Sequence, residues 1–506
     1  MAIFLGVDVG TSGARVLAVD ASGRLAAIAT AEYPLLTPRP GWTEQNPTDW
    51  WSAVASCLRQ VAAAVPPAEI RAIGLTGQMH GSVFLDAAGE VIRPALLWND
   101  QRTEAECREI EERVGKERLL ALCGNRALTG FTAPKVLWLR NHAPEHYARL
   151  AHLLLPKDYI RYRLTGDFAT DVSDASGTLL LDVAARSWCE PVMKALDLPA
   201  SMLPRLYEGT GVTGRVSAAA AAATGLPAGL PVVAGGGDQA AGAVGVGLAA
   251  PGMASLSLGT SGVVFAACSQ PGHLAPAATA PPGLPPESIT TVHSFCHAVP
   301  GVWHVMGVML SAGGSLRWAR DTLYAGQSYD ALTGEAAAVP PGAEGLLFLP
   351  YLTGERVPHP DPGARGAFVG LGLRHVRAHL ARAVLEGIAL GLRDNLDLVR
   401  ALGVPVQELR VTGGGARSPL WRDILAAALE SPLRMLAVDE GPAFGAAILA
   451  AAGTSHFADV AAACAAMVKP AGGVPVDAAL AEQYARLLPT FRELYLQLRT
   501  VFPKLA

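Results

Sequence analysis

Asp8-Val9-Gly10-Thr11-Ser12-Gly13 sets an acid just before a turn built from two glycines and two hydroxyl side chains. A turn of this make-up gathers backbone N–H groups and hydroxyl donors into a concave surface suited to phosphate. An acid at the end of the preceding strand repels phosphate unless a cation stands between them, so Asp8 points to hydrated Mg²⁺. A plain hairpin turn with Asp at a strand end would leave the same residues. The four turn residues return as Gly259-Thr260-Ser261-Gly262, about half the chain later, with Leu258 where the first copy has Val9 and no acid. Two phosphate-facing turns with one metal-facing acid suit a single nucleotide gripped from two sides.

Four other clusters follow apolar runs, two of them on three successive glycines. Leu409–Thr412 runs into Gly413-Gly414-Gly415, and a helix is expected to open at Ser418-Pro419. Three glycines let backbone approach a flat ligand closely, as an adenine pocket requires, although a flexible loop would also use them. Gly235-Gly236-Gly237-Asp238 follows the apolar run 230–234. An acid on such a fixed end can accept a proton from a hydroxyl nucleophile; a turn Asp capping the next helix is the simpler alternative. Gln78-Met79-His80 and Trp98-Asn99-Asp100-Gln101-Arg102 also stand at the ends of apolar runs. An aromatic and thioether wall with hydrogen-bonding groups is what a polyol site needs. Separately, His80 and Met79 could be core residues, and Asp100 with Arg102 a surface ion pair.

The elements that must position these groups are legible from periodicity and punctuation. Residues 3–9, 15–19 and 25–32 read as an antiparallel meander with short Gly-containing turns. Asn46-Pro47 reads as an N-cap followed by a first-turn Pro, opening a helix over 48–64. Residues 70–76, 254–258 and 263–267 read as strands, so both Gly-Thr-Ser-Gly copies lie between strands. The matched context favours a duplicated architecture. Strands followed by helices across Gly-rich joints indicate an α/β fold. Two similar lobes are expected, 1–247 and 248–506, with the join near 245–252 and the ligand in the cleft between them. Pro271–Pro286 reads as a surface loop, and 218–223 as a helix capped by Ser217. Gly413–Ser418 does not spell GxGxxG, and Gly115-Lys116 lacks the rest of a Walker motif.

Composition excludes several classes of protein. The 506 residues are 51% hydrophobic and 17% charged, far from a disordered chain. A net charge of −4 offers no basic excess for nucleic acid. Seven scattered cysteines, never spaced as CxxC, give no zinc site and suit reduced thiols. The N-terminus has no basic n-region, and the most apolar long stretch, 240–254, is broken by four glycines and Pro251. These features predict a cytoplasmic protein with no membrane partner.

The constellation resembles the FGGY carbohydrate kinases of the actin-like, sugar-kinase and heat-shock ATPase superfamily. Gly130-Phe131-Thr132-Ala133-Pro134-Lys135, continuing to His142, fits one family signature. Gly366-Ala367-Phe368-Val369-Gly370-Leu371, continuing to Glu386, fits the other. The resemblance implies a two-lobed actin-like (ribonuclease H-like) fold with duplicated mixed-sheet domains, and phosphorylation of a sugar by ATP with Mg²⁺. It assigns Asp8 to the metal, Gly10, Thr11, Ser12, Gly259 and Thr260 to the phosphates, and Arg15 to the neighbourhood of the nucleotide. Gly413, Gly414 and Gly415 fall to the adenosine, and Asp238 to the catalytic base. Gln78, Met79, His80, Trp98 and Asp100, with Asp238, fall to the sugar, and their pattern matches members acting on D-xylulose at its terminal primary hydroxyl. Other sugars or polyols (ribulose, gluconate, fuculose, glycerol) are the nearest alternatives, and an actin- or chaperone-like ATPase the more distant one. Expected partners are a small-molecule sugar and ATP, with a homodimer as a candidate assembly.

Overall fold

The computed structural model describes residues 1–274, 278–325, 327–437 and 440–505. The first apolar runs form β1 (Ile3–Val9), β2 (Gly13–Asp20) and β3 (Leu25–Glu32), an antiparallel meander. β4 (Ile70–Gly77) lies parallel to β1 on its other side. Beyond it come β6 (Pro231–Val233) and then β5 (Val212–Arg215), while the short β7 (Gly236–Gly237) extends the pairing with β4.

The second half repeats this order. β8 (Ala254–Leu258), β9 (Gly262–Cys268) and β11 (Trp303–Met309) are antiparallel, with β10 (His293–Cys296) on the outer edge. β12 (Leu409–Thr412) runs parallel to β8, followed by β13 (Leu433–Leu436) and the antiparallel β14 (Pro470–Val474). β8, β9, β11, β12, β13 and β14 stand where β1, β2, β3, β4, β6 and β5 stand in the first sheet. The duplication seen in four residues therefore extends to both seven-stranded sheets.

β1 is buried along nearly its whole length because helices cover both faces of its sheet. On one face, Trp50, Val54 and Leu58 of the helix Pro47–Ala64 pack against Val7 and Val16. The other face is covered by a helix from the second half, Gly441–Gly453, whose Ala443, Ala447 and Ile448 pack with Phe4, Leu17 and Ala72. Its backbone lies directly on the strands. A Cβ on Gly6 would stand 1.8 Å from the carbonyl oxygen of Ala443, and one on Gly74 1.9 Å from that of Ala446. Conversely, Ala243 in the helix Asp238–Gly245 of the first half packs with Val263, Phe265 and Val308 of the second sheet. The two halves thus exchange a helix each. The exchanged helices meet backbone to backbone, since a Cβ on Gly445 would lie 1.7 Å from the carbonyl oxygen of Ala241.

Local details follow the sequence with three differences. Both strands after the Gly-Thr-Ser-Gly turns begin at the last glycine of the turn, earlier than the apolar pattern indicates. Asn46 precedes the helix but makes no side-chain cap; Pro47 alone marks the start. The ends of Pro271–Pro286 are tucked in, with Pro271 and Gly272 buried and Arg492 Nη1 donating to the Pro282 carbonyl at 2.7 Å; residues 275–277 lie outside the described residues. Ser217 caps the helix Ala218–Thr224, accepting the Ala220 N–H at 3.1 Å. All seven cysteines are buried and unbridged. No helix among the described residues is long and apolar enough to cross a membrane.

Candidate active site

Strand register brings three separate motifs to one edge of the first sheet. Asp8 pairs with Thr76 and Val9 with Gly77, while Gly236 and Gly237 pair with the same Thr76 and Gly77. The ends of β1, β4 and β7 therefore deliver Asp8, Gln78-Met79-His80 and Asp238 side by side, at the carboxyl ends of parallel strands where α/β sheets form ligand crevices.

Asp8 is half-buried, and its shielded Oδ1 has no hydrogen-bond partner among the described residues. Burial, reinforced by the charge of Asp238 and opposed by Arg15, pushes its carboxyl up to about 7. Arg15 stands opposite Asp8 on β2 and forms an ion pair with Glu440. Asp238 is the first residue of its helix, with Gly237 in the cap position, so it does not cap the helix itself. Burial raises its carboxyl to about 6, against the pull of hydrogen bonds from the backbone and side chain of Gln239. Such a group is ionised at neutral pH yet basic enough to accept a proton.

Met79 fills the space beside this acid: a Cβ on Gly237 would stand 2.8 Å from Met79 Cγ. His80 follows with φ 67°. Its Nδ1 lies 2.7 Å from the Gly177 carbonyl, which accepts, so Nδ1 carries the hydrogen and Nε2 remains an acceptor. Burial lowers the imidazole to about 3 and keeps it neutral. The His80 carbonyl accepts from Lys135 Nζ at 2.9 Å and Thr132 Oγ1 at 3.1 Å, which holds the unusual backbone in place. The ring stands 4.7 Å from Phe131 and 6.4 Å from Phe295 of the second half.

Trp98, 40% exposed, donates to Thr11 Oγ1 at 3.0 Å. Thr11 in turn donates to Gln78 Oε1 at 3.3 Å, and Gln78 Nε2 donates to Gln45 Oε1 at 3.0 Å. Asp100 is placed differently. Its Oδ2 accepts the Thr43 N–H at 2.7 Å, and Arg102 grips both its oxygens at 2.9 and 2.7 Å. Arg102 also lies 3.6 Å over Trp42 and 2.8 Å from Glu44. Asp100 and Arg102 are thus a fully buried brace beneath the turn that carries Trp98, not a surface ion pair.

On the second sheet, β8 and β12 are parallel, with Ser257 opposite Thr412, so the second Gly-Thr-Ser-Gly turn faces the triple glycine. Gly259 and Thr260 are exposed, and their carbonyls accept from Gly313 at 2.9 Å and from Ala312 and Gly314 at 3.0 and 2.9 Å. Beside them opens a cavity of about 680 Å³, lined also by Gly414, Gly415, Ser418, Trp421 and Tyr329. Gly413 has φ 87°, and a Cβ on Gly415 would meet Trp421 Cζ3 at 2.5 Å. Ser418 caps the helix Pro419–Ala428 through the Trp421 N–H at 3.3 Å.

Sequence reasoning missed the layer behind Asp238: Lys157, Asp158, Arg161, Asp171 and Asp174, all buried and mutually bonded. The available signal was charge at 157, 158 and 161 directly after Leu153-Leu154-Leu155-Pro156, a setting that buries a helix face. The role of Lys135 in holding His80 was likewise not drawn from its place in the signature.

Two lobes with duplicated sheets and exchanged helices, a Gly-Thr-Ser-Gly turn in each, and the acids Asp8 and Asp238 at neighbouring strand ends define an actin-like two-lobed fold. Models of the N-terminal and C-terminal domains of the FGGY family of carbohydrate kinases match residues 3–245 and 254–454, and the chain belongs to that family. It is a carbohydrate kinase that uses ATP. It is 45% identical to the xylulose kinase of Escherichia coli (strain K12), over 88% of this chain and 89% of that one. The crystal structure of xylulose kinase from Rhodospirillum rubrum superposes with a TM-score of 0.90 at 33% identity, covering 99% of each chain. That of gluconate kinase from Lactobacillus acidophilus gives 0.92 at 25% identity, covering both chains fully.

Proposed function

We propose that this chain transfers the γ-phosphoryl group of ATP to the terminal primary hydroxyl of D-xylulose, giving D-xylulose 5-phosphate and ADP. The observation that supports the reading most is the packing of Met79 against Gly237, the residue just before Asp238. The similarity to a xylulose kinase over most of both chains supports the choice of sugar.

A primary alcohol is too weak an acid to ionise at neutral pH. Asp238 takes the hydroxyl proton as the new P–O bond forms, and such base assistance is typically worth ~10²–10⁴ in rate. The His80 Nε2 acceptor, Gln78 and Trp98 orient the sugar, and Met79 packs its carbon face. Asp100 acts through the turn it braces. Gly10–Ser12 with Arg15, and Gly259 with Thr260, hold the phosphates from two sides, while Gly413–Gly415 admit the adenine.

Asp8 fits a magnesium ion. Its Oδ1 has no partner among the described residues, and Mg²⁺ characteristically takes one or two carboxylates with water and phosphate oxygens. No group of three or more His, Cys, Asp or Glu among the described residues forms a metal cage, which suits an ion held mainly by nucleotide. When bound, the ion neutralises charge on the phosphates. Closure of the lobes on sugar would keep water from competing for ATP.

The test is coupled ADP release across D-xylulose, D-ribulose, gluconate and glycerol. D-xylulose is expected to give the highest kcat/KM. A preference for gluconate would move the reading to that branch of the family, and ADP release indifferent to sugar would overturn it.

A further inference from the structure

Asp238 stands at the end of an irregular stretch of main chain. β6 and β7 both pair with β4, at Val232 with Ile73 and at Gly236 with Thr76, while Ala234 and Gly235 leave the ladder between them. Gly235 has φ 74°, and a Cβ there would lie 1.7 Å from the Leu75 carbonyl oxygen. Backbone this irregular needs an external support.

Arg161 supplies it from behind. Nη1 donates to the Val233 carbonyl at 2.9 Å and Nη2 to the Ala234 carbonyl at 2.5 Å. The other donors go to Thr213 Oγ1 at 2.7 Å, the Ala169 carbonyl at 3.2 Å and Asp158 Oδ1 at 3.4 Å. All five N–H groups of the guanidinium are engaged, in a planar fork that a lysine cannot reproduce. One residue before the acid, the Gly237 N–H donates to Ser173 Oγ at 3.2 Å, and Ser173 itself donates to Asp171. Lys157 ties this support together, bonding Asp158, Asp171 and Asp174 at 2.6, 2.9 and 3.1 Å.

Burying two cations and three acids is costly, and well-packed apolar residues often stabilise a fold as well or better. What this layer adds is direction: with Ser173 it fixes the backbone at Val233, Ala234 and Gly237, just ahead of Asp238. We propose that Arg161 and Ser173 are positioning residues for the catalytic base, holding the bulge so that the Asp238 carboxylate meets the acceptor hydroxyl. The proposal rests on the reading of Asp238 as the base.

The experiment measures kcat, both KM values, the pH profile of kcat/KM and thermal stability for Arg161→Lys and Ser173→Ala, with Asp238→Asn in parallel. Small displacements of reacting groups can cost up to ~10²-fold, so kcat should fall ~10-fold or more in both variants well below their melting points. KM for ATP and for the sugar should stay within about threefold, since neither residue lines the ligand cavity. The acid limb of kcat/KM should also move, a change that lost stability alone does not produce. Wild-type kcat and an unmoved acid limb in the folded variants, with Asp238→Asn impaired, would overturn the positioning role. Retained turnover in Asp238→Asn would instead remove the base assignment. Should Arg161→Lys fail to fold, Ser173→Ala decides, since it deletes one hydroxyl.

Discussion

The two Gly-Thr-Ser-Gly turns share sequence, strand context and place in their sheets, yet their surroundings differ. The first is bound into a polar web: Gly10 accepts from Tyr33 Oη at 2.5 Å, and Thr11 bonds Gln78 and Trp98 through its hydroxyl and Gln45 through its carbonyl. The acid Asp8 stands just before it. The second turn is exposed at Gly259 and Thr260, whose carbonyls accept from the N–H groups of Ala312, Gly313 and Gly314. Ser257 occupies the place of Asp8. A duplicated scaffold thus supplies two equivalent turns, and on the proposed function the substitutions around them suit one to the metal and acceptor end and the other to the nucleotide.

The largest effect should come from removing the acid that makes the turns unequal. Asp8→Asn is expected to lower kcat ~10²-fold and to raise the Mg²⁺ concentration needed for half-maximal rate. Ser257→Ala should stay within about twofold. Equal losses in a magnesium titration of both variants would erase the asymmetry. A smaller and selective effect should follow from Gly415→Ala, whose new Cβ must displace Trp421. KM for ATP should rise ~10-fold with KM for sugar little changed, and a parallel rise in both would break the division of labour.

The smallest effect is on stability and follows from linkage. The Asp238 carboxyl is raised to about 6 in the folded protein, so the folded state holds its proton more tightly than the unfolded one. The associated stability is full below an ordinary Asp value near 3.9 and is lost as pH rises through about 6. Asp238→Asn should therefore raise the melting temperature by ~1–3 °C at pH 8 and leave it unchanged near pH 4. Calorimetry at the two pH values checks this. Activity runs the other way, with wild-type kcat/KM falling as pH drops through about 6 because the base becomes protonated.

Much of this could be seen in the sequence, for a physical reason. Strands such as Ala254–Leu258 and Leu409–Thr412 are apolar runs cut off by glycine, and the candidate site residues follow directly after them. What sequence did not disclose depends on contacts without a local pattern. Gly6 and Gly74 look like ordinary strand glycines, and only the exchanged helix lying on them explains the absent side chains. Asp100 sits in a sugar-site motif, but Thr43 and Arg102 occupy both its oxygens. Arg161 works on backbone carbonyls, which leave no trace in residue type.

The central claim is that one cleft brings an alcohol and the terminal phosphate of ATP to Asp238, and a crystal structure with ADP and D-xylulose bound tests it most directly. The account predicts the ADP phosphates against Gly259 and Thr260, with the terminal hydroxyl of the sugar within hydrogen-bond distance of the Asp238 carboxylate. A sugar bound with that hydroxyl turned away from Asp238, or a nucleotide lying outside the Gly413–Gly415 cavity, would contradict it.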